Sequence, residues 1–241
     1  IPSFIRFYIA AQLNISRPEI LSRYAERDNT RWEHQGLIKL YYDYHDFGDF
    51  PWTFRLKRLL YTRAWLSNER PGLLFDFTTA WLLQNKILLP AASTLTRLIG
   101  EVRERASRRL WRRLALLPDS WQKAQLDGLL EIPEGQRISV LEEMRKGPVT
   151  ISGPSFTDAL ERYTRLRSME FSRLNFSGLP AIQLRNLARY AGMASVKYIS
   201  RMPDERRLAV LTAFVKAQEI SALDEAVAVL DMLILDITRS A

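Results

Sequence analysis

Residues 93–116 read STLTRLIGEVRERASRRLWRRLAL, and this stretch decides the fold class. Leu95, Leu98, Ile99, Val102, Ala106, Leu110 and Leu114 recur at steps of three and four residues, the spacing that lines one face of an α-helix. Arg97, Arg105, Arg108 and Arg112 fall on the opposite face, with Glu101 and Glu104 among them; Arg103, Arg109 and Arg113 lie at its margins. Alternation with period two is confined to Val149-Thr-Ile151, too short to found a sheet. The fold class is all-α, multi-helical, with helix-turn-helix-like units and no significant sheet.

Upstream, Ile5, Ile9 and Leu13 line a first helix, and the neighbouring Phe4, Phe7 and Tyr8 predict packing on both of its sides. Ser16-x-x-Glu19 is a capping box that opens a second helix, with Pro18 in the first turn and Ile15 and Ile20 as a hydrophobic staple. Thr30-x-x-Glu33 opens a third, running to Tyr42. Helices are further predicted over Trp52–Asn68 and Gly72–Lys86, the second stopping before Pro90. Downstream of the long helix a short one covers Asp119–Leu130. Residues 131–154, with Pro133, Gly135, Gly147, Pro148, Gly153 and Pro154, are loop punctuation around one brief helix capped by Ser139-x-x-Glu142. Further helices are expected over Ser155–Glu170, Pro180–Tyr190, Ser195–Arg201, Pro203–Gln218 and Ser221–Thr238, with Ser155-x-x-Asp158 and Ser221-x-x-Asp224 as caps. The expected organisation is one helical domain over residues 1–90 with a helix-turn-helix-like start. A second over 91–241 has a Gly/Pro-rich hinge near 131–154 and a C-terminal bundle.

The 241 residues suffice for one large domain or two ordinary ones. The formal charge of +8 is unevenly spread: from Glu219 onward five acids meet one base, so residues 1–218 carry +12. Of the 35 basic residues 28 are Arg, the side chain suited to planar, bidentate contact with phosphate and guanine. Arg–carboxylate pairs on helix surfaces are the alternative use, since 27 acids are present. Cysteine is absent, which excludes disulfides and thiolate metal sites and fits a reducing cytoplasm. No apolar run approaches the roughly 18 residues of a membrane span, so no membrane is expected as partner. The first residue is Ile, and the chain is expected to be a piece of a larger protein.

Four constellations could carry chemistry. From Ile9 to Arg31, two helices joined by a tight turn at Asn14-Ile15 precede a third, the spacing of a helix-turn-helix whose second helix enters the major groove. Arg17 stands at the start of that second helix, followed by Arg23, Arg27 and Arg31. Seven arginines against two acids over residues 97–113 form a basic face that could follow a phosphate backbone. A solvated face tied by Glu101–Arg105 and Glu104–Arg108 pairs is its alternative. Arg55, Lys57, Arg58 and Arg63 interleave with Trp52, Phe54, Tyr61 and Trp65, aromatics that at helical spacing serve as core or as stacking platforms. Asp43, His45, Asp46 and Asp49, near Glu33 and His34, lack the spacing that sets two imidazoles on one helix face. Catalytic residues, metal ligands and cofactors are expected to be absent, and the residues alone describe a binding module.

Particular strings narrow this reading. SRPEILSRYAER from Ser16, TRWEH from Thr30, LLP from Leu88, TLTRL from Thr94, IPEG from Ile132, LERYTRLR from Leu160, LARYA from Leu187 and PDERRLAVL from Pro203 with AFV from Ala213 resemble, in order, the N-terminal region of transposases of the Tn-three family of replicative transposons. The resemblance runs along essentially the whole chain. It implies double-stranded DNA as partner, specifically the terminal inverted repeats of a transposon. It also implies that strand cutting belongs to an acidic triad on an RNase-H-like domain outside this chain. Transposase self-association is a further partner expectation: the C-terminal helix carries Leu223, Val227, Leu230, Ile234 and Ile237, either as core or as the face of a helical assembly module.

Overall fold

The computed structural model describes residues 3–22, 28–67 and 69–240. They form eleven α-helices and two short 3-10 turns, with no strand among them; a single bridge between His45 and Ile87 is the only extended pairing described. The chain divides into two compact units, residues 1–54 with 77–91 and residues 55–76 with 92–241.

The smaller unit holds α1 (Ser3–Gln12), η1 (Pro18–Ser22), α2 (Asp28–Tyr42), the start of α3 (Trp52–Leu66) and the end of α4 (Pro71–Gln84). Three helices stop in the same way. At the end of α1 the Ile15 N–H donates to Ala10 O and the Asn14 N–H to Ala11 O, with Asn14 left-handed. Asp43 and Lys86 take that position after α2 and α4, with Tyr44 donating to Lys39 O and Ile87 to Leu82 O. This is the Schellman pattern, which satisfies carbonyls a helix end leaves orphaned. After it, His45 pairs with residues 86–88 through two backbone bonds of 2.9 Å, while its ring stacks on Trp52 at 5.1 Å.

Several expectations change here. The segment after Ser16 is a 3-10 turn over Pro18–Ser22, and whether it continues as a helix falls on residues 23–27, outside those described. The next helix begins at Asp28, two residues ahead of the expected Thr30 cap. Two-sided packing of α1 is not observed: Ala10 is buried, but Phe4, Phe7 and Tyr8 are exposed. Its packing partner is the five-residue η1, too short to cover a second face.

The larger unit is organised by α5 (Ala92–Ala115) and α11 (Asp204–Ser240), which pack on one another; α11 also packs on α8 (Gly153–Ser168) and α9 (Ala181–Met193). All seven positions of the stripe on α5 are buried. α11 contributes Val210, Leu211, Phe214, Val215 and Ala222 to the main core, joined by Leu126, Leu141, Leu166, Phe171 and Ile199. Burying a side chain of this size stabilises by about 1.5–3 kcal/mol.

Caps set the shorter helices. Asp119 and Gln122 form a reciprocal box before α6 (Ser120–Gly128), as Ser139 and Glu142 do before α7 (Val140–Met144). Ser195 caps α10 (Val196–Ser200). The cap of α8 is Ser152 and not Ser155, because Gly153 and Pro154 lie inside the first turn, where proline's missing N–H costs nothing. A short turn, η2 (Phe171–Arg173), links α8 to the chain leading into α9. The two helices expected from Pro203 to Thr238 are one, 37 residues long. Ser221 starts nothing; its hydroxyl donates to Glu225 one turn on, at 3.0 Å.

Residues 131–154 lie within the larger unit. The Leu141 N–H donates to Leu129 O at 2.7 Å, and Arg145 donates to Ala191 O and Ala194 O, capping the C-terminal end of α9 with a cation. Burial lowers the affinity of Arg145 for its proton.

Candidate nucleic-acid interface

The exposed face of α5 carries the greatest concentration of arginine in the sequence. Because its opposite face is committed to the core, Arg97, Arg105, Arg108 and Arg112 stand on the solvent side, as the spacing predicts. Their charges are only partly answered. Arg108 donates to Glu104 at 2.7 Å, Arg97 lies 3.9 Å from Glu101, and Arg112 lies 3.6 Å from Glu205 of α11. Glu101 therefore turns to Arg97 and not to the expected Arg105, and Arg105 has no acidic partner among the described residues. Exposed pairs of this kind contribute about 0–1 kcal/mol, so a polyanion can displace them at small cost.

The margin of this face is built differently. Arg109 lies over the indole of Trp65 at 5.3 Å and donates to the Tyr61 hydroxyl at 3.2 Å. Arg113 lies 6.0 Å from the same ring and donates to Gly178 O. Trp65 is half-buried, packed against Leu110, Leu114 and Ala209, while Arg55, Lys57 and Arg58 of α3 are exposed. Leu56, Leu60 and Ala64 form the buried stripe of α3. Arg63 pairs with Glu69 at 2.8 Å. The aromatics of the interleaved stretch do not behave alike: Phe54 is exposed, whereas Tyr61 and Trp65 are half-buried and meet Arg109 of α5.

Of the candidates near the start of the chain, Arg17 is exposed in the turn before η1 and its carbonyl accepts from the Ile20 N–H. Arg23 and Arg27 lie outside the described residues, as does the side chain of Arg31, whose backbone belongs to α2. The structure gathers the α5 arginines on one face of the larger unit. In the acidic loop, Asp46 accepts from Lys39 and its N–H donates to Asp49 at 3.0 Å. Among the described residues, no three His, Asp or Glu side chains are gathered as metal ligands, and no helix is long and apolar enough to cross a membrane.

A cavity of about 580 Å³ lies beside α8. Glu143, Asp158 and Glu161 alternate there with Lys146, Arg162 and Arg165, so it offers no field of one sign. Arg162 is buried and held by Glu225 and Lys146 O. Arg167 answers the buried Glu219 at 2.9 Å, and the bond holds its proton more firmly. Arg162 is thus an internal fastener and Arg167 an exposed arginine that holds a buried carboxylate, roles that sequence position alone did not separate from those of free surface charges.

Fold and charge together define an all-helical protein whose basic surface is written almost entirely in arginine. The family described as a domain of unknown function, DUF4158, matches residues 1–102. The chain is 76% identical over 237 residues to the transposase for transposon gamma-delta of Escherichia coli (strain K12), an alignment covering 98% of this chain and 24% of that protein. Similarity extends to the transposase for transposon Tn1546 of Enterococcus faecium, 27% identical over 98% of this chain and 24% of that protein. The transposase for transposon Tn501 of Pseudomonas aeruginosa is 26% identical over all of this chain and 24% of its own length. The chain belongs to the transposases of the Tn-three family, and it spans about a quarter of the length of these relatives.

Proposed function

We infer that this segment binds the double-stranded DNA of its transposon's terminal inverted repeats and positions it for transposition. Strand cutting then belongs to an RNase-H-like domain elsewhere in the parent protein. The observation that carries this reading is the α5 face, where Arg97, Arg105, Arg108 and Arg112 are presented to solvent by a helix whose other side is fixed in the core. A row of guanidiniums on a fixed helix positions a protein on a phosphate backbone, and base-edge contacts then supply the sequence preference. Those contacts are assigned to Arg17, Arg23, Arg27 and Arg31. A footprint of the segment on the element's terminus tests the assignment. Protection confined to the inverted repeat is expected, lost in Arg17→Ala and Arg23→Ala. In Arg108→Ala it should persist at a higher protein concentration. Uniform protection of flanking DNA would overturn the specific reading.

One observation favours a second reading, a helical module for transposase assembly. On the last turns of α11 the buried face is Ala222, Ala226 and Val229, while Ile220, Leu223, Val227, Leu230, Ile234 and Ile237 are exposed. Their steps of three and four residues, with β-branched side chains alternating with Leu as far as Ile234, are those of a helical seam. Light scattering showing a stable dimer without DNA affinity would favour this reading over the first.

A further inference from the structure

The geometry points to a phosphate-binding site centred on Trp65, in which Arg109 and Arg113 of α5 and Arg58 of α3 grip the DNA backbone irrespective of sequence. This site rests on the reading of the segment as DNA-binding and adds to it residues outside the α5 row described above.

Arg58, Tyr61 and Trp65 follow one another at three- and four-residue steps and so share a face of α3. Tyr61 and Trp65 both engage Arg109, which brings that face against the margin of α5. Trp65 is the centre because its indole is held in the cluster of Leu110, Leu114 and Ala209 and offers a fixed aromatic surface. A guanidinium over an indole is attracted by the ring's negative face, and the contact orders a side chain that is otherwise mobile. It does so without neutralising the charge, and stacking engages the face of the group, so the donors at its edge stay available.

That separates this pair from three of the four arginines in the row beside it, all but Arg105. Arg97, Arg108 and Arg112 each have a carboxylate within 4 Å, whereas Arg58, Arg109 and Arg113 have none among the described residues. The ordering partners of Arg109 and Arg113 are an indole, a phenol and the Gly178 carbonyl, all uncharged. The ordering is completed on folding, and binding a phosphate breaks no ion pair. Arg109 and Arg113 are one turn apart on the same helix, about 6 Å along the axis. Phosphates on one strand rise about 3.4 Å per nucleotide along the duplex axis, so the two can engage phosphates one or two nucleotides apart on one backbone.

The test is a titration of inverted-repeat and scrambled duplexes, read by anisotropy over a salt series, with unfolding midpoints recorded for every variant. Replacing both Arg109 and Arg113 by Ala is expected to weaken both duplexes several-fold. It should also reduce the slope of log K against log salt by about 1 per arginine. Trp65→Leu is expected to weaken both duplexes by about two- to fivefold with the slope unchanged, and Trp65→Phe to restore most of the loss. A double arginine variant that is folded, with wild-type affinity and slope, would overturn the site while leaving the α5 row intact. Wild-type protein without salt-dependent affinity for either duplex would overturn both. Equal losses in Trp65→Leu and Trp65→Phe would reduce Trp65 to a packing residue and contradict the platform.

Discussion

Arg162 and Arg165 sit three residues apart on α8, yet burial gives their ion pairs different worth. The Arg162 side chain is 8% exposed and its partner Glu225 33%, whereas Arg165 and Glu143 are each about half exposed, 3.4 Å apart. Removing one member of a buried pair strands the other in a poor solvent. Glu225→Ala is therefore expected to cost about 3 kcal/mol in urea unfolding, and Glu143→Ala about 1 kcal/mol or less. Comparable losses would contradict the burial argument. Glu142 offers a second check. Hydrogen bonds from the Ser139 N–H and hydroxyl hold its carboxyl below the usual range. A lowered folded value means the capping box adds stability above the unfolded carboxyl's pKa and loses it as pH falls through the folded one. The Glu142 carboxyl resonance should titrate below the ordinary glutamate range and move only part of the way back in Ser139→Ala, which removes the hydroxyl but keeps the backbone N–H; an ordinary titration in the wild type would contradict the box. None of this was legible in the sequence beyond the cap itself. Arg162 and Arg108 look alike as letters, and only packing sorts fasteners from surface charges.

Helix α11 shows where local signals are overruled. Ser221-x-x-Asp224 has the form of a start signal, but Ala222, Ala226 and Val229 pack into the unit and carry the helix through it. Ser221→Ala should then lose no cap, with the unfolding midpoint unchanged or slightly raised by alanine's better propensity. A true N-cap would instead lose about 1 kcal/mol. The same residues corrected the face of the helix: Leu223, Val227 and Leu230 satisfy an apolar period but are not the side that is buried. Periodicity identifies a stripe without saying which neighbour meets it. By contrast α5 was legible almost to its ends, because one strong period, uninterrupted by Gly or Pro near its centre except Gly100, admits a single orientation. Leu114→Ala, at a position with no exposure, is expected to cost about 2–5 kcal/mol. The Schellman ends at Asn14, Asp43 and Lys86 were missed in part because two of them lack the glycine or asparagine that usually marks a left-handed stop.

For the molecule as a whole, the excess of +12 over residues 1–218 is what the proposed nucleic-acid partner would require, and the similarity to transposases gives the proposal a context. The sequence pointed to the α5 face because four arginines share one side of a helix whose other side is plainly core. It singled out Trp65 as core or stacking platform but not its meeting with Arg109 and Arg113, since pairing α3 with α5 is a long-range event that leaves no mark in either helix alone. The central claim is that this segment recognises transposon ends through arginine–phosphate and arginine–base contacts. Anisotropy titration of inverted-repeat and scrambled duplexes from about 50 to 200 mM salt tests it most directly. Tighter binding to the inverted repeat is expected at every salt concentration, with affinity for both duplexes falling steeply as salt rises. Equal affinity for both near physiological salt would contradict specific recognition, and a flat salt dependence would contradict the phosphate contacts on which it is built.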